Sequence, residues 1–333
     1  MRIIETISGL EKIEKGCVLT IGNFDGVHLG HQEILIAAGQ TAAKRRAELV
    51  VMTFEPHPLT VLRPQKRPGI LTSLALKKHL LAEFGVDCLF VVKSTVELLS
   101  LSPQDFVEQF IVKNIQPGVV VEGESFNFGC GRGGGVRTLQ ELGTEKGFDV
   151  SVVGAKEVGL STGQTVRVSS TMIRDVLEGG RAADAAVALG RPYRLIGQVV
   201  PGCGKGKKLG FPTANMEPAR QLVPAEGVYA GFVQIGDSEE EVCGAKEKVP
   251  AAFSIGRSET LGSDNPLAIE AHILIDDVGD LHGKSLAMDF IEHIRSQQKF
   301  ETEMQLSEQI AEDCEKVKEI LATEDAEKGK LEL

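Results

Sequence analysis

The stretch Gly22-Asn23-Phe24-Asp25-Gly26-Val27-His28-Leu29-Gly30-His31 sets three glycines, a carboxylate and two histidines between two apolar segments. Before it, Cys17-Val18-Leu19-Thr20-Ile21 is short, mostly apolar and ended by Gly22, as a buried strand would be. After it, Ile34, Leu35, Ala38 and Ala42 recur at helical spacing, so a helix begins near Leu29 or Gly30. A strand–loop–helix turn of this kind aims free backbone N–H groups, and the positive end of the helix, at an anion in the crevice. His28 and His31 stand three apart and share one side of the first turn. Two imidazoles beside a glycine-rich anion site suit charge building up on a phosphate. The plainer role for the pair is capping the helix start. Zinc is a weaker alternative, because no third ligand stands at the right spacing and no His-Glu-x-x-His occurs.

Outward from this loop, the first half alternates strand-like segments (18–23, 48–54, 87–92, 118–121, 148–154) with helix-like ones (30–46, 74–84, 103–112, 136–146, 170–178). Alternation of this kind predicts a parallel sheet with helices on both faces and ligands at the strands' carboxyl ends. A short helix over 182–189 is stopped by Gly190-Arg191-Pro192. Beyond it come short strands (193–200, 228–235, 251–255, 269–275, 286–291) parted by Gly and Pro, the pattern of a small antiparallel barrel. A closing helix is expected from about Glu303 to Ala322, with Leu306, Ile310, Val317 and Leu321 on one face and a frayed tail over 324–333.

The 333 residues suggest two domains, and 42% hydrophobic residues can fill two cores. A formal charge of −11 argues against a nucleic-acid binder. No apolar run is long enough for a bilayer, and Met1-Arg2-Ile3-Ile4-Glu5 lacks a signal peptide's layout. Six scattered cysteines without a Cys-x-x-Cys read as reduced thiols. These features predict a cytoplasmic protein with no nucleic-acid or membrane partner.

The string Gly-x-Phe-Asp-Gly-x-His-x-Gly-His resembles the nucleotidyltransferases of the HxGH type. Its longer wording is similar to the adenylyltransferase half of the bacterial bifunctional riboflavin kinase/FAD synthetases. Further strings carry the resemblance. Phe54-Glu55-Pro56-His57-Pro58 holds His57 at the sheet rim by proline chemistry. Arg167-Val168-Ser169-Ser170-Thr171-Met172-Ile173-Arg174 opens a helix where hydroxyls, N–H groups and guanidinium face one anion. Ser-Ser-Thr-x-Ile-Arg matches the family signature that holds the outgoing pyrophosphate. Gly123-Glu124-Ser125-Phe126-Asn127-Phe128-Gly129 departs from the family, with Ser125 where Asp or Asn is expected beside the flavin.

In the second half, Gly202-Cys203-Gly204-Lys205-Gly206-Lys207-Lys208 brings glycines and positive charge together ahead of Phe211-Pro212-Thr213-Ala214-Asn215. Taken alone, the lysines read as a flexible basic hairpin. Thr213 and Asn215, two apart on an extended segment, point the same way and both offer oxygen to a hard cation. The Pro-Thr-Ala-Asn string resembles that of riboflavin kinases, where Thr and Asn help hold Mg-ATP. Along 269–276, Ile269, Ala271, Ile273 and Ile275 share one strand face, and Glu270, His272 and Asp276 share the other. A solvent-facing Glu is usual for such a pattern, but the family places its general base at this Glu. His282, and Ser258-Glu259-Thr260-Leu261, are further departures.

The resemblance runs from about residue 16 to 322. It implies a Rossmann-like FMN adenylyltransferase domain (1–181), a β-barrel riboflavin kinase domain with a C-terminal helix (182–323) and a tail (324–333). It implies phosphorylation of riboflavin to FMN, then adenylylation of FMN to FAD, using ATP with Mg²⁺. The site residues implied are His28, His31 and Glu270 as catalytic groups, and Thr213 and Asn215 at the metal. ATP and flavin would contact Gly22, Asn23, Phe24, Asp25, His57, Ser125, Arg167, Ser169, Ser170, Thr171, Arg174, Gly204, Lys205 and Gly206. Two rivals stand beside this reading: a riboflavin kinase whose first domain has decayed at Ser125, and a non-catalytic flavin store.

Overall fold

A computed structural model describes residues 1–66, 68–202, 204–218, 220–245, 247–257, 267–275 and 278–331, with only the backbone at 66, 205, 207, 218 and 325–331. Cys203, Asp276 and the Ser258–Leu261 departure lie outside the described residues. By contacts the chain divides into two units. One is built from residues 1–70, 77–159 and 164–170, the other from 71–76, 160–163 and 171–333.

The first unit carries six parallel strands: β1 (Arg2–Ile4), β2 (Val18–Ile21), β3 (Leu49–Glu55), β4 (Cys88–Lys93), β5 (Val119–Gly123) and β6 (Asp149–Val153). Their order is β1-β4-β3-β2-β5-β6. The central strands are mostly apolar and buried until their carboxyl ends, as parallel strands covered on both faces must be. From β2 the chain steps outward through β3 to β4, then returns to the other side of β2 for β5 and β6. The order therefore reverses between β2 and β5, where an open α/β sheet leaves its ligand crevice. Helix α1 (Leu29–Arg45) buries Leu35, Ala38 and Ala42, while Ile34 of the expected face is only half-buried.

Several features of this unit differ from the sequence reading. The edge strand β1 is too short to leave a periodic signal. The segment read as one helix over 103–112 is an α-turn (Pro103–Phe106) that passes into a π-helix (Val107–Ile115). The wider turn still buries Val107, Phe110, Ile111 and Ile115 against the sheet core. Glu122, left outside the fifth strand on sequence, is inside β5 and buried.

In the second unit, strands β7 (Tyr193–Val200), β8 (Ala214–Pro218), β9 (Gly227–Gly236), β10 (Val249–Arg257), β11 (Leu267–Ile273) and β12 (Ser285–Arg295) close into an antiparallel barrel in the order β7-β8-β11-β10-β9-β12. Closure removes the exposed edges that a flat sheet of this size would present. The closing helix, α2 here (Glu303–Leu331), lays Val317 and Leu321 on Ala230, Phe232 and Ile291. Arg295 ties it down with a bidentate ion pair to buried Asp313, donating from Nε at 3.0 Å and Nη2 at 2.6 Å. The backbone stays helical to Leu331, so the expected frayed tail is a continuation of this helix.

Candidate active sites

In the first unit the Gly22–His31 loop leaves the carboxyl end of β2. Phe24 and Val27 adopt left-handed φ values of 46° and 39°, and Gly26 one of 87°. Three such residues in four fold the loop tightly enough to bury Phe24, Asp25 and His28. His28 caps α1, its Nδ1 accepting the His31 backbone N–H at 3.3 Å. Acceptance at Nδ1 fixes the proton of the neutral ring on Nε2. Gly30 makes room for this cap, since a Cβ there would lie 3.3 Å from the His28 ring. The two imidazoles stack at 3.7 Å and 14°, and Phe24 flanks His31 at 5.1 Å. Burial, then the neighbouring His28, then Lys77 hold the His31 pKa well below its ordinary value. The shift favours the neutral imidazole over a standing cation.

Strand β2 and the loop and helix that follow it carry polar atoms without protein partners. Among the described residues, Thr20 Oγ1, Asn23 Oδ1 and His31 Nδ1 are buried and make no hydrogen bond. Buried polar groups in native proteins are nearly always satisfied, so such a cluster at a strand-end crevice fits a polar ligand. Thr53 Oγ1 donates to Asn23 O at 3.2 Å, and Ser170 Oγ donates to Asp25 O at 2.8 Å. Arg167 pairs with Glu124 at 3.1 Å. Ser125 is exposed, and its carbonyl accepts from the Asn127 side chain at 2.6 Å. His57 caps the short helix Pro58–Leu62 through Nδ1, at 3.2 Å from the Leu59 nitrogen. Gly22, Asn23, Phe24, Asp25, His28, His31 and Ser170 thus form one loop-and-helix assembly. Ser169 belongs to the same unit, whereas Thr171 and Arg174 fall on the far side of the contact division.

Sequence reasoning passed over Glu122 and Lys77. Ile21 N–H, beyond the last β2–β5 pair Leu19–Val120, donates to Glu122 Oε1 at 2.6 Å. Burial raises the Glu122 pKa well above the carboxylate range, so the carboxyl is neutral in the fold. A glutamate that ends an apolar strand gives no sequence signal of burial.

In the barrel, register brings the predicted groups together. Glu270 pairs directly with Asn215 on one side and with Ser254 on the other. Glu270 and His272 alternate with buried Ile269, Ala271 and Ile273, as the strand pattern predicted, while Ile275 lies past the strand end and is exposed. Burial alone raises the Glu270 pKa, which makes it a stronger base. Gln297 Nε2 donates to Ser254 Oγ at 3.0 Å and to Ile255 O at 2.9 Å, buttressing the strand beside Glu270.

The glycine-rich loop folds onto the Phe211–Asn215 segment. A Cβ at Gly202 would collide with the Asn215 amide, and one at Gly206 would collide with Phe211 O and approach Thr213 Oγ1 to 3.1 Å. Gly204 takes a left-handed φ of 71°. The Lys205 side chain lies outside the described set. Thr213, Asn215, His272, Leu281, Cys314 and Lys318 line a cavity of about 660 Å³. His272 Nδ1 lies 2.8 Å from Pro212 O, and Phe211 packs edge-on to its ring.

Comparison with known proteins matches both halves. A family model for FAD synthetase matches residues 10–172, and one for riboflavin kinase matches residues 189–321. The bifunctional riboflavin kinase/FMN adenylyltransferase of Escherichia coli K12 is 37% identical over 315 residues, covering 94% of this chain and 96% of its own. That of Bacillus subtilis 168 is 34% identical, covering 89% and 90%. A crystal structure of a Streptococcus pneumoniae protein, described as a macrolide-efflux protein, superposes with a TM-score of 0.80 at 28% identity, covering 96% and 99%. No described helix of this chain is long and apolar enough to cross a membrane. With both halves matched in order along nearly its whole length, the chain belongs to the bifunctional riboflavin kinase/FMN adenylyltransferase family.

Proposed function

We propose that the two reactions of this enzyme run at two separate sites: adenylyl transfer at the His28–His31 loop and phosphoryl transfer beside Glu270. The observation that carries this reading is the division of the chain. His28, His31 and the partnerless polar atoms of β2 and the loop and helix after it lie within the first unit, whereas Thr213, Asn215 and Glu270 lie within the second. Each set also falls inside the matching family model.

At the barrel, Glu270 takes the proton of the riboflavin 5′-hydroxyl as its oxygen attacks the γ-phosphorus of ATP, and ADP leaves. The register pair Asn215–Glu270 supports this, because it sets the base one strand from the nucleotide-side oxygens. Mg²⁺ would be held with ATP by Thr213 and Asn215, where it supplies charge neutralisation on the phosphates. The neutral oxygens of these two side chains, facing one cavity, fit a hard cation shared with a triphosphate.

In the first unit, an FMN phosphate oxygen attacks the α-phosphorus of a second ATP and pyrophosphate departs. His28 and His31 donate hydrogen bonds to the charge that develops. Asn23, Phe24, Asp25 and Gly22 shape the loop, while Ser169, Ser170, Thr171, Arg167 and Arg174 serve the departing phosphates. His57 and Ser125 stand on the flavin side. No covalent intermediate is needed, so positioning and charge stabilisation supply the catalysis. The domains are assigned to 1–181 and 182–323, and the protein to the cytoplasm.

The test is a crossed pair of variants. His31→Ala leaves FMN formation near normal and lowers FAD formation by about a hundredfold or more. Glu270→Gln does the reverse, with FAD still made from supplied FMN. Equal loss of both activities in either variant sinks the partition.

A further inference from the structure

Lys77 lies on the helix Leu74–Glu83 and is only 5% exposed. Beside Lys78 in the sequence it reads as a solvated cation, yet its side chain turns inward. Among the described residues no hydrogen bond or ion pair holds its ammonium. A buried ammonium without a close partner is costly, so its retention needs a reason. Its electrostatic neighbours supply one. Asp25 comes from the loop after β2, Glu55 from the end of β3 and His31 from the first turn of α1. These elements meet at the carboxyl edge of the sheet, so Lys77 faces the same crevice as the two histidines. Burial lowers its pKa, against the opposing pull of Asp25 and Glu55. Of these neighbours, His31 has a buried Nδ1 without a partner among the described residues.

We propose that the Lys77 ammonium is a phosphate ligand of the adenylyl-transfer site, binding the part of ATP that leaves as pyrophosphate. This rests on the reading that the His28–His31 crevice takes ATP. In that reaction the largest new charge appears on the departing pyrophosphate, where a desolvated cation stabilises most. An ammonium on a flexible four-carbon stem can follow that group as it moves off. The competing role is structural: a distant counter-ion that holds Asp25 and Glu55 in place.

Pyrophosphorolysis separates the two, since FAD and inorganic pyrophosphate give FMN and ATP at the adenylyl site alone. The full chain is compared with Lys77→Met, Lys77→Arg and His31→Ala, with riboflavin phosphorylation measured in each. Lys77→Met should raise the KM for pyrophosphate about tenfold or more. Its kcat/KM should fall about a hundredfold, with kinase turnover and the calorimetric transitions unchanged. Lys77→Arg should recover part of the loss. A pyrophosphate KM and kcat within about twofold of the parent in both Lys77 variants would overturn the proposal. If Lys77→Met does not fold, Lys77→Arg decides by the same KM. Wild-type FAD turnover in His31→Ala would instead remove the underlying site reading.

Discussion

Glu122→Gln should make the first unit lose its dependence on one proton. Glu122 is 2% exposed, accepts the Ile21 N–H at 2.6 Å and is held neutral by burial. In the unfolded chain the same carboxyl ionises near an ordinary pKa of about 4.3. Above that pH the folded protein binds one more proton than the unfolded one, so stability falls as pH rises. The slope is up to about 1.4 kcal/mol per pH unit, until Glu122 ionises in the fold. Gln keeps the oxygen for Ile21 and has nothing to titrate. Above about pH 5 the parent should therefore lose stability relative to Glu122→Gln as pH rises, no more steeply than that slope. His31 and Lys77 titrate alike in both proteins and cancel in the difference. The chain has no Trp, and both tyrosines, Tyr193 and Tyr229, belong to the barrel, so calorimetry rather than intrinsic fluorescence reads the first unit. Parallel Tm-against-pH curves for the two proteins would refute the argument.

Ser125→Asn should lower the FMN requirement of adenylyl transfer by about tenfold or less, the worth of one neutral hydrogen bond, and leave the kinase unchanged. FMN titration at saturating ATP measures this, and an unchanged or raised requirement means Ser125 is compensated elsewhere. A fragment starting at Leu160 should phosphorylate riboflavin, make no FAD and melt above one starting at Ala182. The longer piece keeps the Ser161 N–H bond to Asp184 at 2.7 Å and the Ala225 N–H bond to Leu177 O at 3.0 Å. Equal melting of the two fragments would show that these bonds carry no stability.

Much of this was legible in the sequence because the signals were redundant. The Gly22–His31 loop combined a buried strand, a glycine-framed turn and a helix start, and the structure realises all three. Alternation of Ile269, Ala271 and Ile273 with Glu270 and His272 was enough to assign the strand faces. What escaped was whatever depends on depth rather than period. Lys77 and Glu122 are charged residues whose burial follows from tertiary placement at the sheet's carboxyl edge, and no local pattern encodes it. The adjacency of Asn215, Glu270 and Ser254 likewise arises from barrel register across segments more than fifty residues apart in part. At the C-terminus, helix formers without an apolar period read as a frayed tail, yet the backbone continues the helix past the face that anchors it.

The central claim is that one chain makes both bonds. The direct measurement is incubation of the pure full-length protein with riboflavin, ATP and Mg²⁺, followed by separation of the flavins. The account predicts FMN early and FAD accumulating from it, with one pyrophosphate released per FAD. FMN that never proceeds to FAD would mean that the first domain has lost its chemistry. Riboflavin recovered unchanged would contradict the account altogether.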